Sequence, residues 1–208
     1  MLSNPVEDVP FNITRLSHVV LTSRDLDATR YFYEAGLGLE VTEHSATHLC
    51  VRAIEEVAHH SLRFEKVAHD RPGEVRAIGY RMFSDDDLRR AFDWFSARGE
   101  SPEWVERPFQ GLTLRIIDAV GVPVEFTATM PGPENTMRHF HTHAGGKLVF
   151  LDHVQVATHD VQAAFDWYTS IGFRLTEYTA TDGSDELWGV WLKRKNNTQD
   201  VVYSNGAG

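Results

Sequence analysis

Leu151-Asp152-His153-Val154-Gln155-Val156-Ala157-Thr158-His159-Asp160, followed by residues 161–172, is the stretch whose reading decides the fold. Its apolar alternation predicts a strand, Thr158-His159-Asp160 a turn with a helix cap, and 161–171 an amphipathic helix. A near copy stands earlier: Leu16-Ser17-His18-Val19-Val20-Leu21-Thr22-Ser23-Arg24-Asp25, followed by residues 26–38. His18/His153, Asp25/Asp160, Ala28/Ala163 and Tyr33/Tyr168 recur in step, and Gly38/Gly172 and Glu43/Glu177 after one deletion. Self-similarity of this kind points to a repeated supersecondary unit.

Working outward, strands are expected at 15–22, 39–43, 48–52 and 61–67, with a helix from Leu26 that is capped by Ser23 or Asp25 and stopped at Gly36-Leu37-Gly38. This is one βαβββ module. After the turn Asp70-Arg71-Pro72-Gly73 a second begins: strand 75–83, the cap cluster Ser84-Asp85-Asp86-Asp87, helix 88–98, then strands 112–117 and 122–128. The third holds strand 151–157, helix 161–171 and strands 173–179, 186–193 and 200–203. The fold class is therefore α+β, built of tandem βαβββ modules. Two pair in an N-terminal domain (1–129), 130–150 connect, and the third begins a C-terminal domain (151–208). The chain stops at Gly208, where a fourth module is expected, so the C-terminal domain reads as truncated.

Composition narrows the function. The 208 residues, 42% hydrophobic, can bury a full core, and no apolar run approaches a membrane span. A net charge of −10 argues against nucleic acid and anionic membrane as partners and favours a small molecule. One cysteine, Cys50, and a start without signal-peptide character fit a cytoplasmic protein. Residues 1–12 read as an irregular arm.

His139, His141 and His143 alternate, as metal ligands on one strand would. The Pro and Gly breakers around them favour a polar connection instead. His153 alone, at the start of a strand, is by spacing more an ordinary polar residue than a ligand. Gln155 shares its face by the period of two. Trp167, Tyr168 and Trp188 are assigned to core and interface.

The chain from about Arg15 onward resembles the vicinal oxygen chelate superfamily. Within it the likeness is to type I extradiol ring-cleaving dioxygenases of the homoprotocatechuate 2,3-dioxygenase group. The resemblance rests on Phe32-Tyr33 with Gly36-Leu37-Gly38-Leu39, on Arg52-Ala53-Ile54-Glu55-Glu56 and on His59-His60-Ser61-Leu62. It continues through Gly121-Val122-Pro123-Val124-Glu125-Phe126, Ala144-Gly145-Gly146-Lys147-Leu148, Leu151-Asp152-His153 and Trp191-Leu192-Lys193-Arg194-Lys195. It implies a non-haem Fe(II) centre, with Mn(II) as a substitute, held by two His and one carboxylate and open to a small catecholic substrate and O2. His153 matches the first ligand, and the other two belong to the fourth module. Gln155 stands where the family has an Asn near the ligands, and Trp191 where it has a pocket-wall Trp. Gln199 stands at the acid–base His, where it can donate a hydrogen bond but cannot shuttle a proton. His18 and Glu125 match ligand places in the N-terminal domain, but Ala77 takes the third, which implies a non-catalytic duplicate. The family also implies a homo-oligomer.

Two other readings stand beside the dioxygenase. One is a metal-free binding protein of the bleomycin-resistance type, which the missing module and Gln199 favour. The other is an isomerase of glyoxalase type, which Ala77 disfavours.

Overall fold

The computed structural model describes residues 8–137 and 139–206. The first module comprises β1 (Ile13–Ser23), α1 (Leu26–Arg30), β2 (Glu40–His44), β3 (His48–Arg52) and β4 (Leu62–Lys66). The second comprises β5 (Val75–Met82), α2 (Asp85–Ala97), β6 (Glu103–Val105), β7 (Thr113–Ile117) and β8 (Pro123–Thr127). The third comprises β9 (Val154–Thr158), α3 (Val161–Ser170), β10 (Arg174–Ala180), β11 (Leu187–Lys193) and β12 (Val201–Asn205). No helix among the described residues is long and apolar enough to cross a membrane.

Local chemistry sets the helix starts. The Asp25 side chain accepts from the Asp27 and Ala28 amides, Ser84 from Asp87, and Asp160 from Ala163. Each satisfies donors that a first helical turn leaves open. Three aspartates in the first turn of α2 add to the match with the helix dipole. α1 departs from the expected regular helix by widening into a π-helical stretch, Tyr31–Gly36. There the Leu37 amide reaches back to the Phe32 carbonyl at 3.1 Å. Gly38, at φ +78°, then lets the backbone of Ala144 approach so closely that a Cβ would fall 2.1 Å from its carbonyl oxygen. The connecting segment is thus laid on the first module, with the Gly146 amide bonded to Gly36 and the Ile54 and Glu55 amides to Leu148 and Val149.

The first two modules share one sheet, ordered β2-β3-β4-β1-β5-β8-β7-β6. β1 and β5 run antiparallel at its centre, flanked by the parallel pairs β1–β4 and β5–β8. The third module forms a second sheet, β10-β11-β12-β9, in which β12 and β9 are parallel. β9 thus uses toward β12 the edge that β1 uses toward β4. Its other edge, which on β1 carries β5, has no strand partner among the described residues.

One apolar cluster runs from Phe11, Tyr80, Phe95 and Phe126 into Tyr168, Phe173 and Tyr203. Phe11, expected in an irregular arm, is instead core, edge-on to Trp94 at 5.5 Å. Residues 1–7 of that arm lie outside the described residues. Phe95 stacks on Trp167 of α3 with ring planes 11° apart. Polar ties reinforce the seam. The Tyr203 hydroxyl donates to Asp118 at 2.6 Å and lies 3.2 Å from that of Tyr168. Buried Asp200 accepts from the Leu16 amide at 2.7 Å and from the Arg194 and Lys195 amides at 2.6 and 3.0 Å. Trp167 and Tyr168 are core, while Trp188, near the start of β11, is half exposed.

Candidate functional site

His153 was expected inside the opening strand of the third module, but it stands immediately before β9, which begins at Val154. Its Nδ1 lies 2.7 Å from Asp152 Oδ2. Asp152 is itself held by the Asn197 side-chain amide and the Lys195 ammonium. Burial pushes the Asp152 carboxyl up, but the hydrogen bond from His153, the Lys195 charge and the Asn197 amide outweigh it and hold the group below its usual range. An ionised Asp152 makes Nδ1 of His153 the protonated nitrogen and leaves Nε2 as the one that can coordinate. The Gln199 amide nitrogen comes within 3.4 Å of the same Nδ1. Since an Nδ1–H committed to Asp152 has no lone pair to offer, that approach is contact rather than a hydrogen bond.

The register brings the remaining candidates to the same face. Gln155 pairs with Val202, and Val202 with Trp191, so the three form one row across β9, β12 and β11. The Gln155 amide donates to Ser204 Oγ at 3.0 Å. Trp191 is half-buried beside Gly189. His153, Gln155, Trp191 and Gln199 therefore gather around the β9–β12 side of one open sheet face. Asp152, Lys195 and Asn197, which orient that face, were given no role from the sequence, although Asp152 and Lys195 stand in segments that carry the resemblance. The other histidine candidates do not form a site. Residues 139–143 contain a 3-10 turn (Phe140–Thr142) and no strand, and the His139 and His141 rings are 6.2 Å apart.

The corresponding place in the N-terminal sheet is closed. His18 is fully buried, with Nδ1 3.2 Å from Ser17 Oγ and Nε2 without a partner among the described residues. Burial first, then the charges of Arg63, Arg107 and Arg15, drive its pKa down to about 3. Glu125 Oε1 is taken by Arg107, at 2.8 Å from Nε and 2.6 Å from Nη2. Ala77 lies opposite Val20, and Gly79 lies directly opposite both His18 and Glu125. A Cβ on Gly79 would fall 2.1 Å from His18 Cε1, so the imidazole occupies the volume that a side chain there would need. Gly79→Ala is expected to cost about 1–3 kcal/mol by overpacking, read from the urea midpoint, with most of the loss recovered when His18→Ala is added. Unchanged stability of the single variant would show that the ring has room to move.

A family model described as Glyoxalase/Bleomycin resistance protein/Dioxygenase superfamily matches residues 15–126. Metapyrocatechase of Geobacillus stearothermophilus is 24% identical over 216 residues, covering 97% of this chain and 64% of that protein. Manganese-dependent 2,3-dihydroxybiphenyl 1,2-dioxygenase of Geobacillus genomosp. 3 is 23% identical, covering 91% and 62%. The chain thus spans somewhat under two thirds of the length of these relatives. The crystal structure of homoprotocatechuate 2,3-dioxygenase from Arthrobacter globiformis superposes with a TM-score of 0.88 at 27% identity, covering 98% of this chain and 63% of that one. The Brevibacterium fuscum enzyme in complex with 3,4-dihydroxyphenylacetate gives the same TM-score and identity, covering 98% and 64%. With a family match over more than half its length, the chain belongs to the Glyoxalase/Bleomycin resistance protein/Dioxygenase superfamily.

Proposed function

We propose that these residues belong to an extradiol ring-cleaving dioxygenase that uses a divalent metal, Fe(II) or Mn(II), to open a catecholic ring with O2. The observation that carries this reading is His153, oriented by Asp152 on an open sheet face beside the β9 edge that has no strand partner among the described residues. The likeness to dioxygenases over nearly the whole chain supports it. In this reading residues 1–129 are a non-catalytic domain, 130–150 a connection, and 151–208 the first half of the catalytic domain.

The residues present suit such a metal. An imidazole with its Nδ1 held by a carboxylate has a fixed tautomer and a more basic Nε2, as metal-ligating histidines commonly do. His153 would supply one ligand; the others would come from a strand paired along β9. Bound there, the metal would hold the catechol and O2 side by side. Trp191 walls the substrate side, and Gln155, tied to Ser204, presents a fixed polar edge next to the ligand. Gln199 donates a hydrogen bond to the reacting oxygen but moves no proton, so proton delivery falls to water or substrate and turnover is slow. A homo-oligomer in the cytoplasm completes the proposal.

The test uses the whole natural polypeptide. Metal content by mass spectrometry and ring opening of 3,4-dihydroxyphenylacetate, followed by the yellow product with O2 uptake, should show stoichiometric metal and turnover. His153→Ala should lose both, Asp152→Asn should weaken metal affinity by about 10–100-fold, and Gln199→His should speed turnover. Stoichiometric metal without ring opening, or His153→Ala with wild-type turnover, would overturn the proposal. A metal-free protein that binds aromatic compounds unchanged would move it to the binding-protein class.

A further inference from the structure

The first module gathers three buried side chains with metal-binding chemistry. Cys50 sits in the middle of β3, and His59 and His60 lie in the bend before β4. One donor atom from each falls within 4.8 Å of the others, and all three residues are buried. The Nδ1 atoms of His59 and His60 are 3.1 Å apart, so at most one of them carries a proton between the two rings. His60 Nε2 is buried and has no hydrogen-bond partner among the described residues. Interiors rarely leave such an atom unsatisfied without a ligand, water or ion to meet it.

Two further features surround the cluster. Phe109 stands in the left-handed region at φ +64° and stacks on the His59 ring at 3.9 Å with planes 3° apart. A bulky residue holds that conformation only where its surroundings impose it, a pattern concentrated at functional sites. Charge is also provided for. Glu43 pairs with Cys50 across β2–β3 and Arg63 pairs with it across β3–β4, bringing one charge of each sign to the thiol. Burial lowers the pKa of both imidazoles and raises that of the Cys50 thiol to about 12. A bound cation would reverse that last effect by displacing the thiol proton to solvent.

We propose that Cys50, His59 and His60 form a metal site in the first module, separate from the open face around His153 and suited to Zn(II). Thiolate and imidazole are the ligands Zn(II) favours, whereas Mg(II), Ca(II) and Mn(II) prefer oxygen. Three protein ligands leave the fourth tetrahedral position to water or to the nearby Glu43 carboxylate. The site ties β3 to the bend before β4.

Cobalt(II) titration of the metal-free protein tests this directly. Cys50 is the single cysteine of these 208 residues, so within them thiolate-to-cobalt charge-transfer absorption can arise at this site alone. One equivalent of cobalt should produce that band, and Zn(II) should displace it. The band should persist in His153→Ala and vanish in Cys50→Ser. His60→Gln, checked for folding by circular dichroism, should weaken Zn(II) binding at least about tenfold. Absence of the band in folded wild-type protein would overturn the proposal, whether or not Cys50→Ser folds. So would Zn(II) affinity unchanged in His60→Gln.

Discussion

Replacing Asp200 with Ala is expected to destabilise the protein by about 3–5 kcal/mol, the cost of removing one partner from a buried charged network. The Asp200 side chain is wholly buried and accepts from three backbone amides, those of Leu16, Arg194 and Lys195. The Lys195 ammonium stands 3.6 Å from Oδ1. Alanine leaves three donors without acceptors and the Lys195 ammonium with Asp152 as its remaining carboxylate. Asparagine, which keeps one carbonyl oxygen, should lose roughly half as much. Urea unfolding of the three proteins is the measurement. A midpoint for Asp200→Ala within about 1 kcal/mol of wild type would mean that water replaces the carboxylate and that the seam is looser than its geometry indicates.

The second large effect is on acid stability. His18 is neutral when folded because burial and the charges of Arg63, Arg107 and Arg15 take its pKa from 6.5 to about 3. The unfolded chain takes up a proton near 6.5, so its stabilising contribution is complete above that pH. It is lost as pH falls toward the folded value. At pH 4.5 the loss from this one group is about 3 kcal/mol, two pH units at a little over 1 kcal/mol each. Urea unfolding in chelator at pH 7 and pH 4.5 should show that drop, and His18→Gln, which cannot titrate, should show a drop smaller by this amount. Equal drops in both proteins would mean that His18 gains a proton without unfolding.

What the sequence made legible was local. The Asp25, Ser84 and Asp160 caps act on amides two or three residues away, and the strands follow side-chain alternation within a few positions. The His18/His153 repeat was visible because both residues open the same unit. Distant partners were not visible. The β1–β5 ladder is interrupted between Leu16 and His18 and again between Val20 and Leu21, so counting along the chain does not give what faces His18. The three-residue β6 is too short for any alternation to show. One extra residue in the turn at Tyr31–Gly36 leaves the apolar spacing of α1 almost unchanged. Asp200 reads in the sequence only as the first residue of the strand expected at 200–203. Its partner Leu16 lies at the other end of the chain. The candidate face was legible in His153, Gln155, Trp191 and Gln199 through the resemblance, whereas the charges that orient it come together only across β9 and the 194–199 loop.

That Leu16–Asp200 bond also sets an order of events during synthesis. The two residues are separated by 184 positions. At about 5–20 residues per second, a ribosome needs roughly 10 to 40 s to deliver the carboxylate after Leu16 has been made. Strand β1 therefore stays incompletely bonded until residue 200 has been made. The large sheet closes around it while one central amide is still open to water, and the nascent chain completes its first strand only when its twelfth is in place.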